Sequence, residues 1–290
     1  MVDVLVLNYN DAGTVANFVQ HIAGYHTVRR ILIVDNCSTD DSMDKLSGCL
    51  NDKTELISSG RNGGYGYGNN VGIRYLEEKY DSEYILLSNP DVVVSEGAIE
   101  AMEMFLREND DYALAAPLMV DGNDVPQYNT ALKVVSKAQY ILSLDLLYSK
   151  FVRPFYYKNM EQEDAEVKTV DGVSGSMFLM NADKMLRYGM FDENLFLFGE
   201  EIVLSLLMKR AGLKTGLLLK EKFIHMHSVS IEKSYKGLVP QRKLLMRSHL
   251  YILKKYYGVK GIEYGLAWLI SKISIVEVWI VSILFRKKYK

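Results

Sequence analysis

The chain has 290 residues, 49% hydrophobic and 24% charged. That suffices for one large α/β domain, or a catalytic domain with a smaller appendage, and excludes a disordered chain. The net charge of -2 conceals two opposed regions: residues 201–290 carry 18 Lys and Arg against 5 Asp and Glu, while residues 1–200 carry 16 against 31. An acidic front argues against a nucleic-acid partner, and a basic rear suits a surface that meets phosphate or anionic lipid.

Residues 2–8, VDVLVLN, form a short apolar run ending in polar loop residues, which predicts a buried strand; a helix over 14–24 follows. RILIVDN (30–36) predicts a second strand, then a Ser/Thr/Asp-rich helix start, and TELISS (54–59) a third. A helix over 69–79 follows a glycine-rich loop; YILLSN (84–89) predicts a fourth strand, 95–107 a helix and 112–116 a fifth strand. This rhythm of apolar strands and helices predicts a mainly parallel, Rossmann-like sheet with helices on both faces, whose ligands bind beyond the carboxyl ends of the strands. Residues 117–170 lose the rhythm and are expected to shape an acceptor side; order returns with a strand over 173–181, a helix over 200–211 ended by Gly212, and a strand over 222–225. From Gln241 the chain turns helical and basic. The expected organisation is a catalytic domain over 1–240, divided into a nucleotide-sugar half (1–116) and an acceptor half (117–240), with a C-terminal helical extension over 241–290 that associates with a membrane or with a second copy as a homodimer.

Cys37 and Cys49 make neither a disulfide framework nor a zinc site, and are expected to stay reduced. MVDVLVLNYN lacks the basic start and cleavage site of a signal peptide, so the catalytic part is expected in the cytoplasm.

Asp35 ends the second strand, where a carboxylate can accept from a nucleobase N–H or a ribose hydroxyl. The following Ser38, Thr39 and Asp40 would equally serve as a turn and helix cap. RNGGYGYGNNVG (61–72) can turn backbone N–H groups and a helix N-terminus toward a diphosphate, with Tyr65 and Tyr67 either stacking on a base or merely packing. Asp91, in SNPDVVV, lies just past the fourth strand, where a hard divalent cation can bridge a carboxylate and two phosphates; Asn-Pro-Asp is also an ordinary turn. In GEE (199–201) a carboxylate desolvated by the neighbouring FLF can act as a general base, or the acidic pair can simply satisfy a helix N-terminus. His225 and His227 project to opposite faces of an extended chain, so one of them at most faces a metal.

Taken in order, IVDNCSTDDS, NGGYGYGNNVGI, LLSNPDVVV, the late Glu-Glu helix and the His-containing strand resemble family-2 glycosyltransferases over roughly residues 1–230. The likeness is to their bacterial rhamnosyltransferase-like branch, in which Asn-Pro-Asp replaces Asp-x-Asp. The resemblance implies a GT-A fold and a nucleotide pocket of Leu7, Asn8, Asn10, Asp35, Asn36, Asn62, Gly63 and Asn89. It further implies Mg²⁺ or Mn²⁺ on Asp91 and His225 (with Ser230 five residues on) and Glu201 as base. The implied reaction is inverting transfer of rhamnose from dTDP-rhamnose to a lipid-linked saccharide, at the inner face of the plasma membrane. Transfer from UDP-galactofuranose, UDP-glucose or UDP-galactose, and a non-catalytic sugar-binding module, are the alternatives. The chain departs from the family where Glu201 replaces Asp, Val203 a second Asp, and Leu207 stands near an expected Arg.

The segment 265–285 is long enough to span a bilayer, but carries Lys272 and Glu277 and ends in RKKYK. Ser271, Lys272, Ser274 and Ser282 fall on one side and Leu269, Ile273, Val276, Ile280 and Ile283 on the other. That pattern predicts a helix lying in the interface of an anionic leaflet; packing against protein is the alternative.

Overall fold

A computed structural model describes residues 1–160, 163–226 and 237–286. Runs such as VDVLVLN and YILLS have no polar face to turn to water, and they become strands covered on both sides. In chain order the front of the molecule consists of β1 (Val2–Asn8), α1 (Ala12–Ile22), β2 (Val28–Asp35), α2 (Ser42–Ser47), β3 (Thr54–Ser58), α3 (Tyr65–Tyr80), β4 (Tyr84–Ser88), β5 (Val92–Val94), α4 (Glu96–Glu108) and β6 (Tyr112–Val120). Then come β7 (Ala131–Leu132), α5 (Lys137–Leu142), α6 (Leu146–Val152), β8 (Val167–Val170), β9 (Gly172–Val173), β10 (Met177–Asn181), α7 (Ala182–Lys184), a π-helical turn (Met185–Gly189), α8 (Glu200–Arg210) and β11 (Lys214–His225). Two long helices close the described chain, α9 (Leu238–Tyr256) and α10 (Gly261–Arg286).

The main sheet has the order β3-β2-β1-β4-β10-β6-β11-β5, with β8 also on β11; β7 and β9 make a separate pair. β1 to β4 are mutually parallel, and β6 and β11 share their direction; among the described residues, β5, β8 and β10 run against them. The sheet is therefore mostly parallel, as its apolar strands predict. One face packs against α1 and α4 through residues such as Val15, Phe18, Ile99 and Met102, and the other against α3 and α8 through Ile73, Leu76, Leu204 and Met208.

Several boundaries differ from the sequence reading. α3 starts at Tyr65 rather than 69, because the glycine-rich loop is itself the first helical turn. The strand expected over 173–181 is two elements, β9 and β10, and the one expected over 222–225 is the end of the 12-residue β11. Of Ser38, Thr39 and Asp40, only Asp40 serves the helix start, its Oδ1 accepting from Ser42 N at 3.0 Å, while Ser38 and Thr39 bond to Asp35 and Asn10.

A third apolar cluster joins the C-terminal helices to the rest. Met246, Ile252 and Leu253 of α9 and Ala267 of α10 pack with Tyr140, Phe155, Leu195, Ile202 and Val203. Val203 is buried there and Leu207 packs at its edge. Those two positions, polar in the resemblance, here form the seat of α9.

Candidate active site

The carboxyl ends of β1 and β2 lie side by side, because Asn8 pairs with Asp35. Asn8 Nδ2 donates to Asp35 Oδ2 at 2.7 Å and to Ser38 Oγ at 3.0 Å, while Ser38 donates to Asp35 through its backbone N–H (2.9 Å) and its hydroxyl (2.6 Å). Asn10 bridges to the same loop, accepting from Thr39 N at 2.8 Å and donating to Thr39 Oγ1 at 3.1 Å. Asn36 Nδ2 donates to Asn62 Oδ1 (3.2 Å) and to Gly64 O (3.1 Å), and Asn36 Oδ1 accepts from Ser59 (3.0 Å). Five of the residues assigned to the nucleotide pocket, Asn8, Asn10, Asp35, Asn36 and Asn62, thus come together at one end of the sheet. Asn8, Asp35 and Asn36 are buried and bond to one another, forming its floor.

Two glycines bring α3 into this cluster. A side chain at Gly68 would strike Leu7, and one at Gly64 would strike the backbone of Phe196. Gly64 also has φ +90°, a conformation that favours glycine. Tyr65 N donates to Phe196 O at 3.1 Å, so this helix-terminal N–H is committed to the chain rather than to a ligand. Neither tyrosine of the loop is placed to stack on a base. Tyr65 is packed edge-on to Phe191 and donates to Gly175 O at 2.6 Å, and Tyr67 donates to Ser59 O at 2.9 Å.

The Asn-Pro-Asp turn follows β4. Asn89 N donates to Ser176 O at 2.7 Å, fixing the turn against the start of β10. The short strand β5, missed in the sequence because three residues give no usable period, pairs antiparallel with the end of β11 and sets Val92 opposite His225. Met226 N donates to Asp91 O at 2.9 Å, and His225 Nε2 lies 3.3 Å from Asp91 Oδ1. An Asp and a His far apart in the sequence, both largely sheltered, therefore present a carboxylate oxygen and an imidazole nitrogen side by side. Among the described residues no cluster of three or more potential metal ligands occurs. His227 and Ser230 lie outside the described residues.

Glu200 and Glu201 open α8. Glu200 is only 3% exposed, and its Oε1 has no hydrogen-bond partner among the described residues. Burial and the charge of Glu201 push Glu200 up to about 8, and burial raises Glu201 as well. Burial and mutual repulsion thus disfavour charge on both carboxyls at once. Three tyrosines feel the charge of Glu201: burial and then Glu201 raise Tyr65 and Tyr156 well above the ordinary phenol value, and Tyr140 also responds to Glu201.

The sequence reading missed the supports of this pair. Asp192 Oδ2 accepts from Tyr251, Lys255 and Tyr256 of α9, each at 2.8 Å, and Asp192 Oδ1 from Asn194. Ser248 donates to Leu197 O at 2.8 Å, and a side chain at Gly199 would strike Ile252. The helix expected to be an appendage is therefore the outer wall of the loop that carries the carboxylates. Tyr251 and Lys255 at i and i+4 were the visible signal.

The family model for glycosyl transferase family 2 matches residues 3–186. The chain belongs to that family. It is 25% identical to the low-salt glycan biosynthesis hexosyltransferase Agl10 of Haloferax volcanii over 98% of this chain and 85% of that protein. It is 24% identical to the rhamnosyltransferase WbbL of Escherichia coli K12 over 74% of this chain and 79% of that one. The fold is that of the GalNAc-T7 structure with UDP, GalNAc and Mn²⁺, at a TM-score of 0.63 and 12% identity, covering 89% of this chain and about half (49%) of the GalNAc-T7 chain. The protein is a GT-A glycosyltransferase that transfers a sugar.

Proposed function

We propose that the chain is an inverting, metal-dependent transferase that takes a sugar, best matched by rhamnose from dTDP-rhamnose, from a nucleotide diphosphate donor to a lipid-linked saccharide. The observation that carries the reading is the 3.3 Å approach of His225 to Asp91 beside the Asn-Pro-Asp turn. The Mn²⁺ of the GalNAc-T7 structure and the rhamnosyl activity in the name of WbbL support it. Asp91 and His225 would hold Mg²⁺ or Mn²⁺, and such an ion would stabilise the departing diphosphate. Leu7, Asn8, Asn10, Asp35, Asn36, Asn62, Gly63 and Asn89 would shape the nucleotide end, with the buried carboxamides holding its loops rigid. Glu201 would take the acceptor proton as the acceptor oxygen bonds to the anomeric carbon and the bond to the diphosphate breaks on the opposite face. Repulsion between the two buried carboxyls would favour a pair that holds one proton and one charge.

The membrane part of the reading is supported by α10. It is long and apolar enough to cross a membrane by length and composition. Ala267, Ser271 and Ser274 face the protein, while Trp268, Leu269, Ile273, Val276, Trp279 and Ile280 stand about half exposed. Arg242 of α9 donates to Ser274 Oγ and to Leu144 O (2.9 Å), and Glu277 accepts from Leu146 N at 3.3 Å. Ser274 and Glu277 are thus held by protein, while exposed Lys272 lies over Trp268 on an otherwise apolar outward face, which suits a helix lying on an anionic leaflet. Screening nucleotide sugars for Mn²⁺-dependent hydrolysis and transfer tests the reading. dTDP-rhamnose should be turned over fastest, and turnover without added divalent ion would contradict it.

A further inference from the structure

A cavity of about 830 Å³ is lined mostly by the segment that lacks the strand–helix rhythm, with Asp171 and Lys209 completing it. Its charged lining is Lys133, Arg153, Lys158 and Lys209, with Asp171 the one carboxylate among the lining residues. Asp171 is already engaged, accepting from Lys209 at 2.7 Å and from Val134 N at 2.8 Å. Lys133 and Arg153 lie over the rings of Tyr157 and Tyr128, and among the described residues no carboxylate pairs with Lys133, Arg153 or Lys158. A concave surface with this excess of positive charge favours a compact polyanion.

Two further observations relate the cavity to the base. Tyr156 lines the cavity and also feels the charge of Glu201. Lys209 stands on the same helix as Glu201, eight residues on, or about 12 Å along the axis at ~1.5 Å per residue. That spacing leaves room for a sugar between an anion in the cavity and the base. On the outer side, an adjoining cavity shares Arg153, Tyr156, Tyr157 and Lys158 and adds Lys150 and Phe151. Phe151 is 76% exposed and Leu147 56%, both on α6, whose first N–H is held by Glu277 of α10. An apolar surface therefore runs from α10 over α6 to the rim of the basic cavity.

We propose that this cavity binds the phosphate groups of a lipid-phosphate carrier on the acceptor, with the carrier's chain leaving over Phe151 and Leu147 into the lipid that α10 lies on. The proposal rests on the lipid-linked acceptor of the function proposed above. It assigns the acceptor's anion to Lys133, Arg153 and Lys158, away from the donor diphosphate at Asp91.

The test is calorimetric binding of farnesyl diphosphate to the full chain in EDTA, which removes metal from the donor site. Wild type and Asp91→Asn should bind alike, and Lys133→Glu/Lys158→Glu should bind about tenfold more weakly or worse. Both lysines are exposed, and Lys133→Gln/Lys158→Gln gives a milder check should charge reversal unfold the chain. Unchanged affinity in both lysine pairs overturns the proposal, as does an equal loss in Asp91→Asn, which would place the ligand in the donor pocket. A lysine variant that loses binding to vesicles containing phosphatidylglycerol but keeps farnesyl diphosphate also overturns it, because the cavity would then read bilayer headgroups. Mn²⁺-dependent dTDP binding, measured in parallel, reports on the transferase reading separately: its absence contradicts that reading whatever the cavity binds.

Discussion

Asn70 and Phe191 are joined by both ends of one carboxamide: Asn70 Nδ2 donates to Phe191 O at 2.9 Å, and Phe191 N donates to Asn70 Oδ1 at 3.0 Å. This pair ties α3, whose first turn borders the nucleotide cluster, to the segment that leads into Glu200 and Glu201. Asn70→Ala should cost about 2–3 kcal/mol, since it leaves a buried N–H and a buried carbonyl unsatisfied. Urea denaturation measures the loss. Transfer should fall in kcat more than in donor affinity, because the carboxylates are displaced relative to a pocket that survives.

Asp192 should govern stability at low pH. Burial alone would raise its carboxyl, but the hydrogen bonds from Lys255, Asn194 and Tyr251 outweigh burial and hold it well below the usual carboxylate range. A depressed folded-state value stabilises the protein above the unfolded value near 3.8, and that contribution disappears as pH falls through the folded value. Asp192→Asn should lower the melting temperature at pH 7 and flatten its dependence below pH 4. An unchanged acid limb in the variant would show that Asp192 does not anchor α9.

Glu200 has the opposite sign. Its folded value of about 8 exceeds the ordinary 4.5, so the folded state binds the proton more tightly than the unfolded chain. The associated stability is complete below 4.5 and is lost as pH rises toward 8. Glu200→Gln should therefore melt higher than wild type at pH 8 and alike at pH 4. Glu201→Gln should keep donor binding and lose transfer by about a thousandfold or more. In wild type the acid limb of kcat should lie above the ordinary carboxylate value, because burial raises Glu201. Active Glu201→Gln beside dead Glu200→Gln would exchange the two roles.

The outward face of α10 should dock on lipid. Ile273→Glu/Ile280→Glu changes two half-exposed side chains and should leave the melting temperature within a few degrees. Co-sedimentation with vesicles of anionic lipid should fall sharply. Equal sedimentation of the double variant and wild type would remove α10 from the membrane surface.

The sheet was legible because its strands are continuous apolar runs. Leu7, Asn8, Asp35 and Asn36 were legible because they stand where such runs stop. What the sequence hid depends on pairing across long separations. β5 is three residues long and exists only against β11, so the approach of His225 to Asp91 has no local trace. Asp192 carries no local sign of its role, and its three partners lie on a helix whose basic composition pointed to lipid rather than to the catalytic loop. On α10 the periodicity separated the serine face from the isoleucine face, but only the packed structure shows that the small, polar side is the buried one.

The central claim is that Asp91 and His225 form the divalent-metal end of a sugar-nucleotide site. The most direct measurement is dTDP binding by calorimetry with and without Mn²⁺, in wild type, Asp91→Asn and His225→Gln, with melting curves confirming the fold. Wild type should bind dTDP about 100-fold or more tightly with Mn²⁺ than in EDTA, and Asp91→Asn should lose most of that gain, with His225→Gln losing a smaller part. A Mn²⁺-dependent gain that survives intact in folded Asp91→Asn would contradict the account.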